Sequence, residues 1–199
     1  MIRRLSSYHS AAASVVAVLA LICAVQAQNN TAKKVPIKNF GCINENFYRG
    51  AQPDGADYKA LADLGVKTVI DLQRDGRSDE KDKVEGAGMK FFRIEMSDRS
   101  SPSVDQANQF LKIVSDPANQ PIFVHCKGGR HRTGAMTAVY RINHDGWTAD
   151  QAFKEMKDFD FNYGFGHGAL KDFVFDYYSN SAREKAVPSE AAVSSAVNN

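Results

Sequence analysis

Cysteine is scarce in this chain of 199 residues. Its three thiols, Cys23, Cys42 and Cys126, are too few to staple a disulfide-rich scaffold, so stability must come from a core, which 43% hydrophobic residues can supply. Neither sign of charge is in excess: 25 basic residues stand against 23 acidic ones. No global field therefore recruits nucleic acid or a membrane surface, and any attraction for anions must be local. A long hydrophobic run is missing as well. The most apolar stretch, Ala11 to Val25, has fifteen residues, short of the roughly 20 that a membrane span needs. No internal repeat is present.

What stands at the start is a secretory signal over residues 1–27. Arg3 and Arg4 form its charged end, Ala11 to Val25 its apolar run, and Val25-Gln26-Ala27 a small-residue cleavage site. Cleavage after Ala27 predicts export to a periplasmic or extracellular compartment, with no stable membrane insertion afterwards. An uncleaved anchor is the alternative reading. Removal takes away Arg3, Arg4 and Cys23, leaving 23 residues of each charge and two cysteines. Residues 28–38 are polar and read as a disordered linker, 39–180 as the folded domain, and 181–199, rich in Ala, Ser, Val and Asn, as a disordered tail.

Within 39–180 strands and helices alternate, which predicts a single α/β domain with a central, mostly parallel sheet flanked by helices. Asn39 to Arg49 reads as a hairpin around Asn44-Glu45-Asn46. Asp54 or Asp57 can cap a helix carrying Tyr58, Leu61 and Leu64, stopped by Gly65. Val66 to Leu72 and Met89 to Met96 read as buried strands, separated by a charged run, Gln73 to Glu85, expected to be a solvated loop leading into a helix. Ser103 with Gln106 and Thr148 with Gln151 are capping boxes, opening helices over 104–114 and up to Lys157. A last helix is expected from Gly168 to Tyr178. The glycine-rich 163–168 before it reads as a turn, and His144 and His167 as isolated surface or capping residues.

The chemistry gathers in HCKGGRHRTG, His125 to Gly134. It follows the β-branched PIFVH and precedes the helical AMTAVYRIN, so it is a strand-to-helix loop. Such a loop aims backbone N–H groups and a helix N-terminus at its own centre, a geometry suited to a phosphate dianion. Cys126 sits inside, and Lys127, Arg130, Arg132 and the helix end should lower its pKa from about 8.5 into the range of roughly 3.5 to 7.5. Gly128 and Gly129 let the backbone turn close to the anion. The Arg132 fork can grip two phosphate oxygens, which lysine cannot do in bidentate fashion. Thr133 can hydrogen-bond the departing sulfur, and His125 can orient the loop through its ring nitrogens. Lys127, Arg130 and His131 add charge beyond what one phosphate requires.

This stretch resembles the signature of the cysteine-dependent protein tyrosine and dual-specificity phosphatases at His125, Cys126, Gly129, Arg132, Thr133 and Gly134. FYRGAQP (47–53), LGVKTVIDL (64–72) and the basic Arg130-His131-Arg132 are similar to the atypical plant and fungal branch, over roughly residues 38–180. The resemblance implies a dual-specificity phosphatase-like fold and a metal-free phosphatase without cofactors, working through a cysteinyl-phosphate. Cys126 would be the nucleophile and Arg132 the clamp, with a phosphorylated protein or an inositol polyphosphate as substrate. It also implies an acidic proton donor on a loop about thirty residues before the cysteine. Asp98, 28 residues before Cys126, is the first candidate, and Asp75 the second. In the resemblance Arg49 helps fix the hairpin, whereas the residues alone leave it free to be a surface group. A non-catalytic phosphate-binding module and a rhodanese-like sulfur carrier are the competing classes. The first would want a lost thiol or arginine, and the second does not call for Arg132-Thr133-Gly134. Whether Cys42 pairs with Cys126 stays open at this point.

Overall fold

A computed structural model describes residues 35–162, 164 and 166–186. The chain divides into a unit ending at Val35 and a unit from Pro36 onward, and everything below concerns the second. The expected signal and all of the expected linker before Val35 lie outside the described residues.

The domain is built on a five-stranded sheet in the order β1-β2-β5-β3-β4. Strands β1 (Gly41–Asn44) and β2 (Phe47–Ala51) form the expected antiparallel hairpin, in which Asn44 pairs with Phe47. Strand β2 then runs parallel to β5 (Ile122–Cys126), which runs parallel to β3 (Thr68–Gln73), which runs parallel to β4 (Lys90–Met96). Every residue of β3 and β5 is buried, as central parallel strands covered on both faces must be. Strand β4 departs from the expectation of a buried strand. It is the sheet edge, and of its seven residues only Ile94 and Met96 are buried.

Three helices fill the crossovers, α1 (Asp57–Asp63), α2 (Glu80–Gly86) and α3 (Val104–Val114), and three follow the last strand, α4 (His131–Tyr140), α5 (Ala149–Asp158) and α6 (Gly168–Ala186). Both capping boxes form. The Ser103 hydroxyl accepts from the Gln106 N–H, the Thr148 hydroxyl from the Gln151 N–H, and each glutamine side chain accepts from the cap's own N–H. Neither aspartate caps α1. Its N-cap is Ala56, and the Asp57 carboxylate instead accepts from the Asp54 N–H.

Strand alternation sorts the side chains. Ile122, Val124 and Cys126 of β5, with Ile70 and Leu72 of β3, face the main core, where Phe110, Ala135, Met136 and Val139 meet them. The intervening Phe123 and His125 point to the opposite face.

Three boundaries differ from the sequence reading. Ile37 is buried and the Lys38 carbonyl accepts from the Ala51 N–H, so the domain begins before residue 39. The charged run is not all solvated loop, because Glu80 and Val84 on α2 are fully buried. The last helix continues to Ala186, into the expected tail, whose remainder lies outside the described residues. Among the described residues no helix is long and apolar enough to cross a membrane.

Candidate active site

The loop after β5 opens onto a cavity of about 320 Å³ lined by Asp75, Asp98, Cys126, Lys127, Gly128, Arg130, His131, Arg132 and His167. Cys126 ends the strand and is only 3% exposed, so its sulfur lies at the floor. Arg130 is the N-cap of α4 and supplies no side-chain cap, so the first-turn N–H groups are left to a ligand. The lining mixes three cations with two carboxylates, a composition suited to an anion and a proton donor.

Two groups from distant segments hold the loop. Gly129 has φ +65°, and a Cβ there would run into the Gly50 carbonyl of β2, so glycine is required. Its own carbonyl accepts from Arg49 Nη2 at 2.6 Å and from Asn39 Nδ2 at 2.9 Å. Arg49 is fully buried with its guanidinium 4.0 Å from the centre of the Phe159 ring, and burial pulls its pKa down to about 10. The surface reading of Arg49 is therefore excluded. Gly128, by contrast, meets nothing closer than the Arg130 side chain at 3.8 Å, so its backbone does not demand glycine.

Arg132 is 5% exposed, and its Nη1 donates to the Met96 carbonyl at 3.0 Å and to Asp75 Oδ1 at 3.3 Å. These bonds fix the guanidinium from the β4 and β3 ends of the sheet. Its Nε and the Thr133 hydroxyl are buried with no hydrogen-bond partner among the described residues. Asp75 itself is exposed, and a backbone N–H together with Arg132 holds its carboxyl below the usual carboxylate range.

His125 does not orient the loop through its ring. Alternation turns it away from Cys126, to the side where α2 packs, and the register sets it directly across from Asp71. There Nε2 lies 3.1 Å from Glu80 Oε1 and Nδ1 3.9 Å from Asp71 Oδ1, all three residues having no solvent exposure. Asp71, Glu80 and His125 offer ligand atoms within 4.8 Å of one another, a spacing a metal ion could use. A cation already serves them: Arg93 Nε is 2.8 Å from Asp71 and its Nη2 3.7 Å from Glu80. Burial pushes the Asp71 carboxyl up, with His125 and Arg93 pulling against it. Sequence reasoning missed this network because Glu80 was hidden in a run of surface-like charge.

His131 departs from expectation too. Its ring stacks on His167, centroids 3.7 Å apart and planes 13° apart. Burial first and the neighbouring His167 second depress its pKa to about 4, so His131 is neutral at pH 7 and adds no charge to the cradle. His167 is not an isolated surface residue. It lines the cavity, and its Nδ1 lies 2.7 Å from the Asp98 carbonyl oxygen. Cys42 is exposed and free on β1. Two inter-strand spacings and three residues along β5 separate it from Cys126 in the register, placing the two about 14 Å apart, far beyond the roughly 7 Å limit for a disulfide.

Residues 24–167 match the family model described as "DSP-PTPase phosphatase fused to NAD+ Kinase". The chain is 29% identical over 133 residues to a probable tyrosine-protein phosphatase, DG1060, of Dictyostelium discoideum, covering 64% of this chain and 80% of that protein. It is 29% identical over 133 residues to the inositol diphosphatase Siw14 of Saccharomyces cerevisiae, covering 64% of this chain and 47% of the yeast protein, so the match spans less than half of that enzyme. The crystal structure of the Siw14 core catalytic domain in complex with citrate superposes with TM-score 0.65 at 26% identity, covering 76% of this chain and 93% of that one. With the thiol, the arginine and the helix end converging on one cavity, and a family model spanning most of the sequence, this chain belongs to the DSP-PTPase phosphatases, enzymes of the tyrosine and dual-specificity type.

Proposed function

We propose that Cys126 attacks the substrate phosphorus and Asp98 protonates the departing oxygen. The observation that carries this is the convergence of Cys126, Arg132 and the uncapped start of α4 on one cavity whose rim includes Asp98. As the S–P bond forms the P–O bond breaks, and the Asp98 proton leaves with the oxygen. In the second half, Asp98 as carboxylate takes a proton from water, which attacks the cysteinyl-phosphate. The P–S bond then breaks, releasing inorganic phosphate and the thiolate. Arg132 and the first-turn N–H groups stabilise the equatorial oxygens throughout, and the unpartnered Thr133 hydroxyl is available to the sulfur as it leaves. Asp75 suits the acid role less well, since its carboxyl is already engaged by Arg132, which favours the ionised form over the proton-bearing one. Retained thiol and arginine favour catalysis over a phosphate-binding module. Hydrolysis of an aryl phosphate in the presence of a chelator tests the enzyme directly, and its absence would favour the binding module instead.

For the substrate we propose an inositol pyrophosphate. Lys127 and Arg130 line the cavity beyond the clamp, and Siw14 is described as an inositol diphosphatase. One observation favours an aryl ester instead: the flat His131–His167 stack beside the cavity could flank a phenyl ring, and DG1060 is described as a probable tyrosine phosphatase. The double variant Lys127→Ala/Arg130→Ala separates the two. A rise in KM confined to the polyphosphate, with stronger salt dependence, supports the pyrophosphate; parallel losses on an aryl monophosphate support phosphotyrosine.

The signal-like residues 1–27 support export, with neither nucleic acid nor a membrane as partner of the mature enzyme. N-terminal sequencing should then find Gln28 first, whereas Met1 on membrane-bound material would favour an anchor.

A further inference from the structure

The glycine-rich segment ahead of α6 delivers His167 to the cavity, and the reaction described above leaves this residue without a task. The Asp98 carbonyl can only accept, so at 2.7 Å His167 Nδ1 must carry the proton and donate it. One face of the His167 ring is covered by His131, a residue of the signature helix, and Phe161 in turn packs edge-on against His131 at 5.4 Å. A second tie joins the same segments, where the Ser101 hydroxyl donates to the Ala169 carbonyl at 3.1 Å. The loop between β4 and α3 is thus fastened through its Asp98 peptide to a ring that rests on α4. The Asp98 backbone is referenced to the helix that aims at the phosphate, and not only to its own strand.

We infer that His167 is a positioning residue for Asp98, setting where the proton donor stands relative to the leaving oxygen. The inference rests on Asp98 being that donor. A displacement of about 1 Å in a reacting group can cost on the order of a hundredfold in rate, so one backbone hydrogen bond at this point has leverage. Substrate binding through Arg132 and the α4 N-terminus would be little affected.

Two variants divide the ring's functions. His167→Phe keeps a flat ring over His131 and loses the donor; His167→Asn loses the stack and keeps an N–H close to the position of Nδ1. Each is measured beside wild type, Asp98→Asn and the double variant Asp98→Asn/His167→Phe, on aryl and alkyl phosphates running from good to poor leaving groups. His167→Phe should lose roughly tenfold or more in kcat/KM, which reports the step that expels the leaving group, on the poorest leaving groups and less than about threefold on the best, with inhibition by phosphate little changed. His167→Asn should stay within about threefold of wild type, and His167→Phe should add almost nothing once Asp98 is Asn. If Asp98→Asn shows the steep leaving-group dependence while His167→Phe is flat across the series, or its loss adds fully to that of Asp98→Asn, the positioning role is overturned and the acid stands. If Asp98→Asn is itself flat, the acid assignment fails first and the positioning role falls with it.

Discussion

Arg49 and Gly129 lie 80 residues apart in sequence, yet the Arg49 guanidinium donates to the Gly129 carbonyl at 2.6 Å and so ties the hairpin to the catalytic loop. The contact is buried and charge-assisted, and such a bond contributes about 1.5–3 kcal/mol. Arg49→Met, which keeps most of the volume against Phe159, should destabilise the domain by roughly 2 kcal/mol and weaken inhibition by phosphate. Thermal denaturation with and without phosphate measures both. An unchanged inhibition constant would mean that the loop holds its shape without Arg49.

His131 makes the domain sensitive to acid. Its folded pKa, about 4, lies below its ordinary value near 6.5, so the unfolded chain binds the proton more readily. Stability contributed by the neutral ring is full above the unfolded value and is lost as pH falls from about 6.5 toward 4. Because the ring is only half-buried, screening reduces the effect to on the order of 1 kcal/mol. Unfolding curves for His131→Gln should be flatter over this window than those of the wild type; identical slopes would mean that the stacked ring is not desolvated.

In the proposed mechanism Asp75 competes with the substrate for Arg132. The carboxylate is 76% exposed and 3.3 Å from Nη1, so the pair is worth under about 1 kcal/mol. Asp75→Asn should therefore tighten inhibition by phosphate or vanadate by no more than about fivefold, with equal effects on good and poor leaving groups. A loss concentrated on poor leaving groups would make Asp75 the acid instead of Asp98.

How much of this was legible in the sequence depended on the range of the interaction. Ser103 with Gln106 and Thr148 with Gln151 lie three residues apart, so the chain alone encodes those caps. The loop was legible for the same reason: its thiol, glycines and arginine are consecutive, and a strand and a helix flank them. Glu80 was not, because a carboxylate inside a charged run looks solvated until β3 and β5 pair and bring Asp71 and His125 beneath it. His167 was equally hidden, since its partners come from distant segments, His131 from the start of α4 and Asp98 from the loop after β4. Period-two alternation could have shown that His125 faces away from Cys126. The extension of α6 past Tyr178 follows from intrinsic propensity: Ala182, Arg183, Glu184, Lys185 and Ala186 are strong helix formers, and their lack of an apolar period concealed it.

The central claim is a covalent phosphoryl group on one sulfur. Acid-quenching the enzyme during turnover of a slowly hydrolysed phosphate ester, followed by peptide mass spectrometry, tests it most directly. A single phosphoryl addition on the peptide containing Cys126, absent from Cys126→Ser although that variant still binds phosphate, is the predicted result. Turnover that persists in Cys126→Ser, or a phosphoryl group found on another residue, would contradict the account.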